Sequence, residues 1–386
     1  MSAAADWRRQ LREAWRSPDA LRRDRFPRMQ VTPGMREAAL RFRMAVTPHY
    51  ASLVRVPDFS DPIFAQCVPS QDELRSAPFA SQDPLGEVRS MPVPRLVRRY
   101  PDRAVLLASS SCACYCRHCF RKRVSGVPEP SASDAELAVV ARWLGANPEV
   151  DDVLVSGGDP LLMPDTRVRA VIDALSSVPS VRVIRVGSRL PATLPQRFTP
   201  ALVRILAAPA RRGGPAVYLM SHFNHPRELA PEALRALRAL VDAGVPVCNQ
   251  TVLLRGVNDS ADTLEALFRA LYHARVRPYY LFQTDLAEGI EHLRTPLATG
   301  LALMRELRAR LSGPAIPNFC LDPPGGGGKI ELSPESVVRR GRGETLLRNG
   351  RGELFLYPDP QDAARRFGSE RADTADSTET SGASRQ

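Results

Sequence analysis

From residue 104 onward, short apolar runs alternate with longer segments whose apolar residues recur every three to four positions. The runs 104–108, 153–155, 181–186, 216–220, 245–254 and 279–282 are short and apolar, with the β-prone residues of buried strands. Segments 134–146, 165–176, 199–207, 231–243 and 259–274, and 296–311 after the last run, read as amphipathic helices. Thr199 before Pro200 and Thr295 before Pro296 place an N-cap residue ahead of proline at the first helical position. Six strand-then-helix units predict a parallel α/β sheet with right-handed crossovers. Periodicity alone is compatible with a closed barrel, a partial barrel or an open doubly wound sheet.

Residues 1–100 read as an N-terminal helical and wrapping region. Helical spacing occurs at 7–21 and 34–46. The proline-interrupted stretch 56–94 is too long for an ordinary loop and is expected to lie over another part of the molecule. Residues 101–330 form the strand-and-helix unit and 331–367 a short C-terminal extension. The Ser, Thr, Asp and Glu-rich stretch 368–386 is expected to be a disordered tail.

Ligands of parallel sheets bind at the C-terminal ends of the strands. The unusual residues of this chain fall there. Four cysteines follow the first run, Ser156-Gly157-Gly158-Asp159 the second, Gly187-Ser188-Arg189 the third and Ser221-His222 the fourth. Gln250 lies in the fifth, and Gln283 and Asp285 follow the sixth.

Composition narrows the class. Hydrophobic content of 44% and charged content of 25% exclude a disordered chain, and no apolar stretch is long enough for a membrane helix. The net charge of +11 is carried almost wholly by arginine, since Lys122 and Lys329 are the only lysines. The arginines are scattered and aromatics are few, which disfavours nucleic acid as a partner. The polar N-terminus and the clustering of cysteine within residues 112–119 lead us to expect a reducing, cytoplasmic setting.

Cys112, Cys116 and Cys119 make a Cys-x₃-Cys-x₂-Cys pattern. Three thiolates on a short loop suit three irons of a [4Fe–4S] cluster, with the fourth iron open to a ligand. A structural zinc site wants four ligands, and Cys114 or His118 would have to be one of them.

This pattern after the first strand resembles the radical S-adenosylmethionine (SAM) enzymes. Further stretches resemble the lysine 2,3-aminomutase family in particular, in the family's order between about residues 40 and 335. They are Arg99-Tyr100-Pro101-Asp102-Arg103, Tyr115 to Cys119, Ser156 to Asp159, Gly187 to Arg189, Leu194 to Arg197, His222 to Pro226 and Pro324 to Lys329. The resemblance implies a partial (β/α)6 radical-SAM barrel with an N-terminal helical region and a short C-terminal extension. It also implies a [4Fe–4S] cluster, SAM and pyridoxal 5′-phosphate (PLP).

By that resemblance Lys329, after the glycines 325–328, carries PLP through its amine, a role arginine cannot fill. Arg99 and Arg103 match the pair that grips the PLP phosphate, and Arg121 the residue that meets the substrate carboxylate. Gly157, Gly158 and Asp159 match the segment at the SAM amine, and His222 and Gln250 polar positions near SAM and PLP. Asp285 and Asp322 match the acids that hold the distal ammonium of lysine; a buried cation needs such partners. Lys122 reads as an ordinary basic residue.

The implied activity is an isomerase reaction, 2,3-amino migration between L-lysine and β-lysine, with a flavodoxin- or ferredoxin-type reductant and homo-oligomeric assembly. Arginine as substrate stays open, as does the branch that serves β-lysylation of elongation factor P. A zinc or nucleic-acid-binding protein is the competing class. Ser260 stands where some relatives carry an interface-zinc cysteine, and no cysteine follows Cys320, so no structural zinc is expected.

Overall fold

A nine-stranded sheet runs through the molecule in sequence order. The structure, a computed structural model, describes residues 6–127, 129–333, 336–348 and 352–360. Strands β2 (Arg103–Ser109), β3 (Asp152–Gly157), β4 (Val183–Ser188), β5 (Ala216–Ser221), β6 (Val247–Val252), β7 (Arg277–Phe282) and β8 (Asn318–Leu321) are all parallel. Short antiparallel edges, β1 (Leu96–Val97) and β9 (Ile330–Glu331), pair with β2 and β8. Among the described residues β1 and β9 do not pair with each other, so the sheet is mostly parallel and does not close.

Helices Asp134–Gly145, Asp165–Ser176, Pro200–Arg211, Pro231–Asp242, Ala261–His273 and Leu297–Arg310 follow successive strands from β2 to β7. Alternation along the strands explains both faces of the sheet. In β4, Ile184 and Val186 are fully buried in the main apolar core. Val183, Arg185 and Gly187, between them, are half-buried and face a cavity. A closed eight-stranded barrel fills its interior with side chains; this incomplete one keeps room for ligands.

Three differences from the expected elements stand out. The seventh parallel strand, β8, was not predicted. Segment 7–21 is two helices, Trp7–Arg12 and Pro18–Asp24. Ser17 caps the second and Pro18 opens it, and proline inside a single continuous helix would remove a hydrogen bond. Beyond the sheet, β10 (Val337–Arg340), β11 (Glu344–Arg348) and β12 (Leu354–Pro358) form a separate antiparallel sheet. The expected tail 368–386 lies outside the described residues.

The N-terminal residues build a second apolar cluster from Leu21, Tyr50, Ile63 and Phe64, which takes in Cys114. The connector then crosses the open side of the sheet. The Gly325 amide donates to Pro84 O at 2.9 Å, and the Arg98 amide to Ser90 O at 2.8 Å. Residues 84–90 therefore bridge the strand edges that β1 and β9 leave apart. No helix among the described residues is long and apolar enough to cross a membrane.

Candidate active site

The cavity has a volume of about 690 Å³. Every residue given a site role from the sequence lines it, and the glycines, thiols and charged groups come from different strand ends.

Cys112, Cys116 and Cys119 follow β2 as free, half-buried thiols. Burial pushes Cys112 well up and Cys116 up to about 12, the latter against the pull of Arg189. Among the described residues no three His, Cys, Asp or Glu side chains converge to hold one metal ion. A four-iron cube takes one thiolate on each of three separate irons, so it asks for thiols spread around a volume rather than aimed at a point. Cys114 instead turns its thiol to Cys67 in the N-terminal apolar cluster.

The loop that carries the thiols is clamped by an acid from the N-terminal region. Glu73, fully buried, accepts from Arg117 Nη2 at 2.6 Å and from Lys122 Nζ at 2.8 Å. Burial opposes its charge, but the two cations outweigh it and hold the carboxyl down at about 2. Lys122 is therefore not an ordinary surface base. Its ammonium is buried on Glu73 and the Gly289 carbonyl, over the Phe42 ring, and burial lowers it to about 8.

Arg189, of the Gly187-Ser188-Arg189 stretch, carries no sequence signal of its own, yet it is central to the cavity. Its Nη1 donates to Cys116 Sγ at 2.6 Å. Its Nη2 reaches Gln66 at 2.7 Å, Glu228 at 2.8 Å and Tyr50 at 2.9 Å. Those partners, from three parts of the chain, fix a buried cation against the Cys116 thiol.

Gly157 has φ +115°, and a Cβ there would collide with the Ser109 carbonyl; one on Gly158 would meet the Ser110 and Ser111 backbone. Only glycine lets β3 run this close to the start of the cysteine loop. The Asp159 carboxylate is turned to the protein. It accepts from Ser188 Oγ at 2.9 Å and from the Arg189 amide at 2.8 Å, while burial raises it to about 6. His222 lies 3.1 Å from Asn224 Oδ1, and burial and Arg189 lower it to about 3, so it is neutral. Gln250 faces the same space from β6.

At the other end Lys329 Nζ stands 3.1 Å from Asp322 Oδ2, and Arg99 Nη2 stands 3.0 Å from Asp322 Oδ1. Burial opposes the Lys329 charge, but Asp322 outweighs it and raises the ammonium. The same cations hold Asp322 down, whereas burial and Asp322 push Asp285 up to about 7. Phe282 and Tyr280 wall the amine, with ring centres 5.3 and 5.9 Å from Nζ. The Lys329 amide donates to Tyr100 Oη at 2.8 Å, and the Arg103 guanidinium lies 3.7 Å over the Tyr100 ring. An amine between aromatic walls, with two arginines beside it, fits a flat phosphorylated aldehyde such as PLP. Arg121 lies between the two ends of the cavity, with Nη2 on Glu87 at 2.7 Å and Nη1 on Ser156 Oγ at 3.0 Å. Glu87 had no sequence signal.

Residues 107–268 match the Radical SAM superfamily, and residues 304–384 match the family described as Lysine-2,3-aminomutase. The L-lysine 2,3-aminomutase of Acetoanaerobium sticklandii is 41% identical over 359 residues, covering 92% of this chain and 84% of that protein. That of Clostridium subterminale is 41% identical over 355 residues, with the same coverage, 92% and 84%. The glutamate 2,3-aminomutase of Clostridioides difficile is 37% identical over 325 residues, covering 84% of this chain and 76% of that protein.

Proposed function

The chain belongs to the lysine 2,3-aminomutase family of radical SAM enzymes, and on that premise we propose that it interconverts L-lysine and β-lysine, with PLP carried on Lys329. As an isomerase of the aminomutase type it conserves atoms: nitrogen leaves carbon 2 for carbon 3, and one hydrogen moves the opposite way.

The observation that carries the choice of lysine is the acid pair at the far end of the cavity. Asp322 holds a primary ammonium, that of Lys329, at 3.1 Å, and Asp285 is half-buried and close enough to feel its charge. A carboxylate-ended side chain would meet two acids there, and like charges in a buried pocket repel strongly. That disfavours glutamate, the substrate named for the Clostridioides difficile relative.

The chain's own groups divide the remaining work. Cys112, Cys116 and Cys119 hold the cluster, and Arg189 places a positive charge on its Cys116 side. Gly157 and Gly158 bring backbone close to where SAM docks, and neutral His222 and Gln250 offer uncharged hydrogen-bonding groups to it. Arg99 and Arg103 face the PLP phosphate, and Arg121 the substrate carboxylate. When bound, cluster and SAM together supply one-electron chemistry, and PLP supplies a π-system joined to the migrating nitrogen. The aromatic walls and the connector over the open side exclude water from that chemistry. An external one-electron donor is required. Anaerobic incubation of the reconstituted enzyme with L-lysine, read by chromatography against β-lysine, tests this function; no product, or β-glutamate from glutamate instead, contradicts it.

A further inference from the structure

We propose that Glu87 is a positioning residue that aims Arg121 at the substrate carboxylate, so that the connector segment 81–89 sets the spacing between the two ends of the bound amino acid. This rests on the reading of Arg121 given above.

Glu87 is buried at 2% exposure and its carboxylate is committed to arginine. Oε1 accepts from Arg121 Nη2 at 2.7 Å and from Nε at 3.0 Å, and Oε2 accepts from Nε at 3.1 Å. This fixes the plane of the guanidinium and leaves its other edge toward Ser156 and the cavity. Burial opposes the charge on Glu87, but Arg121 and Arg123 hold it ionised below its ordinary range.

The turn that presents Glu87 is itself built. The Asp83 carboxylate accepts the Glu87 and Val88 amides, each at 3.0 Å, and pairs with Arg123 at 3.2 Å. The same short segment touches the other two substrate-facing loops. Pro84 O takes the Gly325 amide, and Arg89 donates to Gly325 O, in the glycine run before Lys329. The Ser81 amide donates to Leu286 O at 2.9 Å, next to Asp285. One segment thus joins the residues facing the carboxylate, the reacting amine and the distal ammonium. Its charged group toward the cavity acts through Arg121 rather than on substrate.

Replacing Glu87 by glutamine offers one acceptor where the carboxylate offers two, and sets an N–H against an N–H. The fork is lost and Arg121 turns. The test compares L-lysine with 1,5-diaminopentane, which keeps both amines and lacks the carboxylate. Binding is read from the PLP absorption change in the PLP-loaded enzyme, without turnover. Glu87→Gln should weaken L-lysine about tenfold, the size of one charge-assisted hydrogen bond, and leave the diamine within about twofold. Equal loss for both ligands, or an unchanged or tighter L-lysine, overturns the proposal. Arg121→Gln runs alongside. If it treats the two ligands alike, the reading of Arg121 itself fails; if only Glu87→Gln discriminates, Glu87 does not act through Arg121. Should Glu87→Gln not fold, Glu87→Asp, whose shorter side chain breaks the fork while keeping the charge, carries the same comparison.

Discussion

Lys329 Nζ and Asp322 Oδ2 lie 3.1 Å apart, so the amine assigned to PLP rests on the carboxylate assigned to the substrate's far ammonium. If PLP is carried on Lys329 as proposed, the amine would no longer need Asp322, and that carboxylate would be free to meet a second ammonium. On the proposed roles, PLP loading and lysine binding would be successive uses of one acid.

Lys329→Ala should abolish the covalent PLP adduct fixed by borohydride and seen in the intact mass. Lys122→Arg, which keeps a cation on Glu73, should retain it. An adduct that survives in Lys329→Ala would mean the wrong lysine has been chosen.

Asp285 gives a pH signature. Its folded-state value is raised to about 7 by burial and by Asp322. The charged form that attracts an ammonium therefore fills as pH rises through 7. The ratio of lysine to norleucine affinity should increase between about pH 6 and 8, since norleucine lacks only the distal amine. Asp285→Asn should flatten that rise and raise the KM for lysine roughly tenfold, with PLP occupancy unchanged. A flat ratio in the unaltered protein would show that Asp285 does not face the ammonium.

The cysteines should divide three to one. Alanine at Cys112, Cys116 or Cys119 should each cost the reconstituted protein its iron and sulfide, whereas Cys114→Ala, whose thiol faces Cys67, should keep both. Iron and sulfide analysis with visible absorption decides it; loss in all four would enlarge the ligand set.

Glu73 should matter to stability before any cofactor is bound. Removing one partner of a buried ion pair costs about 3–5 kcal/mol, so Glu73→Gln should lower the unfolding free energy of the apoprotein by about that much. Because Glu73 is held down at about 2, its contribution is present above its unfolded value near 4.5 and is lost as pH falls toward 2. The gap between variant and unaltered protein should narrow over that window in chemical denaturation. A constant gap would locate the effect in packing rather than charge.

Much of the barrel was legible because parallel strands covered on both sides read as short apolar runs between amphipathic helices. The edges β1 and β9, with two residues each, are too short to make such a run, and Ser17-Pro18 divides what otherwise reads as one helix. The candidate site was legible where chemistry demands a residue type at fixed spacing, as with the thiols, the glycines and one of two lysines among arginines. It was opaque where one side chain positions another over a long separation. Glu87 and Arg121 are 34 residues apart, Glu73 and Arg117 44, and Arg189 and Cys116 73. In an arginine-rich chain no local pattern tells these cations from the rest.

The central claim is the substrate and the bond that moves. The most direct measurement is an anaerobic assay of the cluster- and PLP-loaded enzyme, with SAM and a chemical reductant, against L-lysine, L-arginine and L-glutamate supplied separately. Products are read by mass and chromatographic position. The account predicts an isomer of unchanged mass that co-elutes with β-lysine, formed from lysine in preference to the other two. Turnover of glutamate or arginine with lysine inert would contradict it.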